Sequence, residues 1–261
     1  MFRPNTLKRA LKKGLKTNGV FLQLGSVSVA EICAGAGYDC VLIDREHGLG
    51  DIASAHGEML AAQAHGVTAL MRVPVNDPVP IKLALDAGVE GIMIPALHDA
   101  EGAKRAAMSC RYPPKGFRGF AASVVRASGY GHRTDDYLRD VEKELLVIGQ
   151  IESAAGVDNA EAICATDGID MIFIGPYDLA ANVGHLGNPD HKVPRKAIEK
   201  VEKLAKKHGK WLGAIPTPAR DTASLFKDGY DLVISQCDGV MLRLGALADV
   251  AAARKAGKRS K

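Results

Sequence analysis

Leu146-Val147-Ile148-Gly149-Gln150-Ile151-Glu152 and, further on, Met171-Ile172-Phe173-Ile174-Gly175-Pro176-Tyr177-Asp178 carry the signal that decides the fold. Runs this short and this rich in Val, Ile and Leu predict parallel strands buried on both faces. Each run ends abruptly in carboxylate or amide chemistry. Polar groups at the end of such a strand face the mouth of a site, not the core. Gln150 and Glu152 share one face by the two-residue period of a strand. Asp178 follows its strand at the start of a helix, just after Pro176, which suits a first helical turn. Two carboxylates on neighbouring strand ends can seat a hard divalent metal. They also fit ordinary surface residues, with Asp178 aiding a helix start.

Working outward, the same alternation of strand and helix repeats along the chain. Asn5 to Gly14 reads as an amphipathic helix, then Val20 to Leu24 as a strand and Val29 to Ala36 as a helix. Further strands are expected at Cys40 to Asp44, Thr68 to Val73, Gly91 to Pro95, Trp211 to Ile215 and Leu232 to Ser235. Helices are expected at Ile52 to Ala64, Pro78 to Ala87, Ala100 to Ser109, Asp135 to Glu144, Ala155 to Ala165, Arg195 to His208, Ala219 to Lys227 and Asp238 to Arg254. A long polar connection separates Ser109 from Asp135; such a length suits a functional loop or an interface.

The 261 residues, 47% of them hydrophobic, suit either one α/β barrel or two smaller domains. Eight strand–helix units without a composition break favour a single (β/α)8 TIM barrel over residues 1–261. No Gly-x-Gly-x-x-Gly follows the first strand, which removes the main support for a dinucleotide fold.

Composition narrows the function. The net charge of +4 is modest, and much of the basic excess lies at the ends, including Arg254, Lys255, Lys258, Arg259 and Lys261. A solvated helix face and a frayed tail account for it. Aromatic residues at 5% are too few for a nucleic-acid surface of interleaved rings and cations. The five cysteines are scattered, lack metal spacing and read as small core residues of a reducing compartment. The first residues, Met1 to Lys16, are too interrupted by charge for a signal peptide, and no apolar run reaches membrane-spanning length. The expectation is a cytoplasmic protein without membrane or nucleic-acid partners.

In barrels of this class the site lies at the C-terminal ends of the strands. The polar residues there are Asp44, Glu46 and His47 after strand two, Arg72 on strand three, Gln150 and Glu152 on strand five, and Asp178 after strand six. His47 reads as a base or a surface histidine, and Arg72 as an anion clamp or a structural partner of Asp44 or Glu46. Gln150 reads as a ligand or a satisfier of backbone groups, and Asp86 as a solvated helix residue. Free amides at Tyr177 and Asp178 can bind a carboxylate. No lysine falls at a strand's C-terminal end, so a Schiff-base aldolase lacks its nucleophile.

In order along the chain, Leu42-Ile43-Asp44-x-Glu46-His47, Met71-Arg72-Val73-Pro74, Arg111-Tyr112-Pro113-Pro114-x-Gly116-x-Arg118-Gly119, Gln150-Ile151-Glu152 and Phe173-Ile174-Gly175-Pro176-x-Asp178-Leu179 resemble the HpcH/HpaI aldolase family. The likeness runs from about Asn5 to Arg254, and Gln150 to Asn159 with His185 to Asn188 looks closer to the dehydrodeoxyglucarate branch. These are metal-dependent class II pyruvate aldolases. The resemblance implies that Glu152 and Asp178 ligate Mg²⁺ or Mn²⁺, with Co²⁺ also suitable. It implies that Gln150 and the backbone at Tyr177 hold pyruvate, that Arg72 stabilises the enolate, and that His47 is the base, made more basic by Asp86. It further implies an exchanged C-terminal helix and a homohexamer built as a trimer of dimers, for which Val240, Met241, Leu244, Leu247 and Val250 suit a docking helix. The implied reaction is reversible cleavage of a 4-hydroxy-2-oxo acid, such as 4-hydroxy-2-oxoheptanedioate or 2-dehydro-3-deoxyglucarate, into pyruvate and an aldehyde. The same enolate also suits an oxaloacetate decarboxylase or an acyl-CoA ester lyase, and the same acids suit a non-catalytic metal- or carboxylate-binding module. Two residues depart from the family pattern: Arg45, an extra cation beside His47, and Tyr177, where Ala or Ser is usual.

Overall fold

All five residues of the strand Cys40–Asp44 are buried, as are all of Thr68–Arg72, Gly91–Ile94, Leu146–Ile151 and Met171–Ile174. Strands without a wet face need apolar cover on both sides. A computed structural model, which describes residues 3–257, supplies that cover by closing eight parallel strands into a barrel in chain order. The strands are β1 (Thr17–Leu22), β2 (Cys40–Asp44), β3 (Thr68–Arg72), β4 (Gly91–Ile94), β5 (Leu146–Ile151), β6 (Met171–Ile174), β7 (Trp211–Ala214) and β8 (Leu232–Cys237). Around and between them run α1 (Thr6–Lys12), α2 (Val27–Gly35), α3 (Ile52–Ala64), α4 (Pro78–Ala87), α5 (Ala100–Ser109), α6 (Thr134–Glu144), α7 (Ala154–Asp158), α8 (Ala160–Ala165), α9 (Pro176–Asn182), α10 (Lys192–Lys207), α11 (Thr222–Lys227) and α12 (Asp238–Ala256). Lys258, Arg259 and Lys261 of the basic C-terminal end, like Met1, lie outside the described residues. Among the described residues no helix is long and apolar enough to cross a membrane.

The two-residue period of the strands sorts their side chains into two cores. Phe21, Leu42, Leu70, Met93, Ile148 and Phe173 point inward and pack with one another inside the barrel. Val20, Val41, Ile43, Met71 and Ile92 point outward and pack against the helices. Leu7 and Leu11 of α1 join the inner cluster. Because Leu7 N–H donates to Thr68 and Asn5 Nδ2 to the Glu90 carbonyl, α1 closes the end where the strands begin. The same parity, carried to the other end, aims Asp44, Arg72 and Gln150 into the barrel as its last inward layer. Strand register sets them in place: Asp44 pairs across from Arg72, and Gln150 from Phe173.

Several boundaries differ from the sequence reading. β1 begins at Thr17, because Thr17 N–H donates to the Asp231 carbonyl and Asn18 N–H to the Asp39 carboxylate, so a polar start is paired into the sheet. It ends at Leu22, where the chain turns off onto Asp238. The single helix expected from Ala155 to Ala165 is two, α7 and α8, broken at Asn159, whose side chain donates to the His98 carbonyl. The long connection after α5 is not free of structure. It contains a 3₁₀ turn at Arg126–Ser128 and packs Ala122 and Ala127 on Tyr137.

In α12 only Asp238 is buried, and Leu242, Leu244, Leu247 and Val250 are exposed. Of the expected docking set, Met241 instead packs on the chain's own core and takes a contact from the Tyr38 hydroxyl at 3.8 Å.

Candidate active site

Arg72 leaves the end of β3 inside the barrel. Its Nε and Nη2 donate to Asp44 Oδ1 and Oδ2 at 2.8 and 2.5 Å. Its Nη1 lies 2.9 Å from Glu46 Oε2, and the guanidinium stands 4.9 Å over the Phe21 ring. The planar fork thus meets a carboxylate at two points and rests on an aromatic face. Asp44 is buried and receives further donors: Gln23 Nε2 at 2.8 Å, Glu46 N–H at 3.0 Å and His47 N–H at 3.4 Å. Burial would raise the Asp44 pKa, but the hydrogen bonds and charge of Arg72, with the hydrogen bonds from Gln23 and the Glu46 amide, outweigh it and hold the carboxyl below its ordinary value. Arg72 correspondingly stays charged, its burial outweighed by Asp44, Glu46 and Glu152.

Glu152 lies just past β5 and is tied at both oxygens. Ala96 N–H donates to Oε1 at 2.9 Å, and Gln150 Nε2 donates to Oε2. Ala96 holds a left-handed backbone, φ 53°, which a side chain rarely adopts and which aims this N–H at Glu152. Gly175 leaves room: a Cβ there would lie 2.7 Å from Glu152 Oε2 and 3.0 Å from Gln150 Nε2. Burial, then the charges of Glu46 and Asp178, push Glu152 up to about 7. Burial, with Asp44 and Asp178, likewise raises Glu46 against the pull of Arg72 and His47. Glu46, Glu152 and Asp178 therefore crowd negative charge into one space, while Arg72 is already engaged by Asp44.

These residues fit a divalent cation. The acids repel one another without one, and Gln150 Oε1 is a buried acceptor with no partner among the described residues. Among the described residues no three metal-ligating side chains close on one point. A cation here would be held by Glu152 and Asp178, with waters and substrate oxygens completing its shell, as Mg²⁺ and Mn²⁺ accept.

A cleft of about 400 Å³ opens over this floor. His47, Arg72, Gln150, Tyr177 and Asp178 line it together. His47 is largely exposed, with Nε2 4.0 Å from Glu46 Oε2. Tyr177 and Asp178 form the first turn of α9, whose N-cap Gly175 has no side chain to occupy the leading amides. Asp86 is not brought to His47 by any described hydrogen bond or ion pair of the chain; its Oδ1 accepts from the buried Arg118 at 2.7 Å. Arg45, expected as a cation beside His47, has its guanidinium next to Gly50, and its charge is felt at the buried Glu58. Sequence reasoning did not single out Gln23, Ala96, Gly175 or Cys237. Gly175 carried a usable signal, a glycine between a buried strand and a proline; a backbone donor such as Ala96 carries none.

Residues 17–243 match the family model described as HpcH/HpaI aldolase/citrate lyase. A 5-keto-4-deoxy-D-glucarate aldolase of Salmonella arizonae is 38% identical over 248 residues, 94% of this chain and 96% of that one. A crystal structure of an HpcH/HpaI aldolase/citrate lyase family protein from Burkholderia cenocepacia superposes with a TM-score of 0.89 at 36% identity, covering 96% of this chain and 99% of the other. An HpcH/HpaI aldolase from Desulfitobacterium hafniense superposes at 0.87 with 27% identity, over 97% of each chain. With the barrel and its rim chemistry, these likenesses establish that the chain belongs to the HpcH/HpaI aldolase/citrate lyase family and is a carbon–carbon lyase of the aldolase kind.

Proposed function

We propose that the enzyme reversibly cleaves a 4-hydroxy-2-oxo acid into pyruvate and an aldehyde through a pyruvate enolate. The observation that carries this reading is a guanidinium braced by two acids that lines one cleft with His47, Gln150 and Asp178, with Glu152 close enough for its charge to couple to Arg72 and Asp178. Glu152 and Asp178 hold the divalent ion, Mg²⁺ or Mn²⁺ with Co²⁺ as a substitute. When bound, that ion polarises the keto group as a Lewis acid.

The chain's own residues do the rest. Gln150 and the leading amides at Tyr177 and Asp178 orient the keto acid, Gln150 from the floor of the cleft and the amides from the start of α9. Arg72 faces the oxygen on which charge grows as the carbon–carbon bond breaks. In the cleavage direction His47 accepts the proton of the 4-hydroxyl and returns it to the enolate carbon, which becomes the pyruvate methyl; in the other direction it takes a proton from that methyl and returns it to the new hydroxyl. The support of His47 by Asp86 stays part of this reading only for the assembled oligomer, since within one chain Asp86 is engaged by Arg118. Curated relatives named 5-keto-4-deoxy-D-glucarate aldolase support a sugar-acid substrate, since that compound is a 4-hydroxy-2-oxo acid numbered from its keto end.

The enzyme works as a homo-oligomer, a hexamer of exchanged dimers, in which the outward leucines of α12 find cover. The free cysteines, four of the five buried, suit the reducing cytoplasm. A panel of 4-hydroxy-2-oxo acids with a coupled pyruvate readout tests the reaction. Pyruvate release should vanish on chelation or in Glu152→Ala, and Mn²⁺ should restore the chelated wild type. Turnover indifferent to chelator removes the metal. Carbon dioxide from oxaloacetate without any aldol cleavage would favour a decarboxylase.

A further inference from the structure

Gln23 follows the last residue of β1 and lines the cleft. Its side chain links the ends of two other strands. Nε2 donates to Asp44 Oδ2 at 2.8 Å, and Oε1 accepts from the Cys237 thiol at 3.0 Å. An ionised carboxylate only accepts, so the amide has one workable orientation, nitrogen toward Asp44. Its backbone is fixed as well. The Gln23 N–H donates to both oxygens of the buried Asp238, at 3.0 and 3.1 Å, and its carbonyl accepts from Leu49 N–H at 2.9 Å. Leu49 belongs to the loop that carries His47, and Asp44 is what grips Arg72.

The geometry points to Gln23 as a positioning residue that holds the Arg72 guanidinium toward the reacting oxygen by way of Asp44. Asp44 Oδ1 has three donors, from Arg72, Glu46 and His47. Oδ2 has two, Arg72 at 2.5 Å and Gln23 at 2.8 Å. Without Gln23, Arg72 is the one donor left to Oδ2 among the described residues, and the carboxylate can tilt about Oδ1, which the Glu46 and His47 amides still hold. That tilt carries the guanidinium with it within the limits set by Glu46 and Phe21, so it meets the enolate oxygen from a looser frame and preorganisation is reduced. Cys237 completes the frame by pinning the amide from its other end.

The role rests on the enolate reading above, and its test separates the two. Gln23→Met keeps the length of the side chain and removes both polar contacts. With Mg²⁺ bound, exchange of the pyruvate methyl protons in D₂O, followed by NMR, should slow about tenfold, while pyruvate affinity by calorimetry shifts less than about threefold. In an Asp44→Asn background the same change should alter the exchange rate less than about twofold, because the path it acts through is already broken. A merely structural role would give multiplying losses, and that result, or wild-type exchange in Gln23→Met, overturns the proposal. A crystal structure of Gln23→Met is informative whatever reaction the enzyme proves to run. Displaced or split Asp44 and Arg72 side chains are expected, and an unmoved pair overturns the role of Gln23. A wild type that neither exchanges methyl protons nor cleaves any 4-hydroxy-2-oxo acid counts against the enolate reading instead.

Discussion

Arg72 and Asp44 form a buried two-point pair, Nε to Oδ1 at 2.8 Å and Nη2 to Oδ2 at 2.5 Å, directly across neighbouring strands. Removing one partner leaves the other charge buried with less compensation. Asp44→Ala should destabilise the protein by about 3–5 kcal/mol and lower kcat/KM at least about 100-fold. Because the folded protein holds the Asp44 pKa below its ordinary value, its stabilising share is complete above the unfolded value and disappears as pH falls through the folded one. The stability gap between wild type and variant should stay constant from about pH 5 to 8 and close below about pH 4. Denaturant titrations at several pH values measure it; a gap that widens in acid contradicts the assignment.

Gly175 touches the site without a side chain. Its φ of −90° is open to any residue, so alanine meets no backbone strain there. The added Cβ would instead stand 2.7 Å from Glu152 Oε2 and 2.9 Å from Glu152 Cβ. Gly175→Ala should therefore cost about 1–3 kcal/mol of overpacking, a fall of several degrees in Tm with the barrel still folded, and it should lose about 100-fold in turnover and bind Mn²⁺ more weakly. Retained Mn²⁺ affinity would show that Glu152 does not hold the ion.

Glu58 is buried on α3, and burial, then the charge of Asp238, push its carboxyl up to about 7 against the pull of Arg45. A raised folded pKa means that stability is full below the unfolded value and declines as pH rises through about 7. Glu58→Gln removes that dependence and keeps an acceptor for the Ser26 N–H. After allowing for solvent screening, the gain at pH 8 is about 1–2 kcal/mol, or about 2–4 °C in Tm, and it should vanish near pH 4. Melting curves at the two ends settle the point: equal midpoints at pH 8 would refute it.

Leu244 and Leu247 face solvent at 50% and 56% exposure on α12. If a second copy covers them, Leu244→Glu with Leu247→Glu should lower the assembly state seen by sedimentation and leave the barrel folded by circular dichroism. An unchanged sedimentation coefficient would place the subunit contact elsewhere.

How much was legible varied with the residue. β2, β4, β5 and β6 could be read from Val, Ile and Leu runs because a strand buried on both faces has no polar residues to blur it. β1 lies earlier than its apolar run suggests at both ends because Thr17 and Asn18 look like loop yet are paired, and the sequence shows no break in the helix after β5 because Asn159 serves a distant carbonyl. Asp86 and Arg45 stood out in the sequence, but what each touches, Arg118 and the Gly50–Glu58 surroundings, depends on chain turns far from either.

The order of residues determined the alternation of strand and helix, the inward parity of Asp44, Arg72 and Gln150, and the clustering of acids at one rim, because local periodicity and burial leave few other arrangements. Only the closed barrel decided that Arg72 is gripped by Asp44 and braced by Glu46, that Ala96 and Gln150 aim Glu152, and that Gln23 ties the first strand to the last. Those contacts join residues distant in sequence, and their geometry is set by strand register and loop closure, which no local stretch encodes.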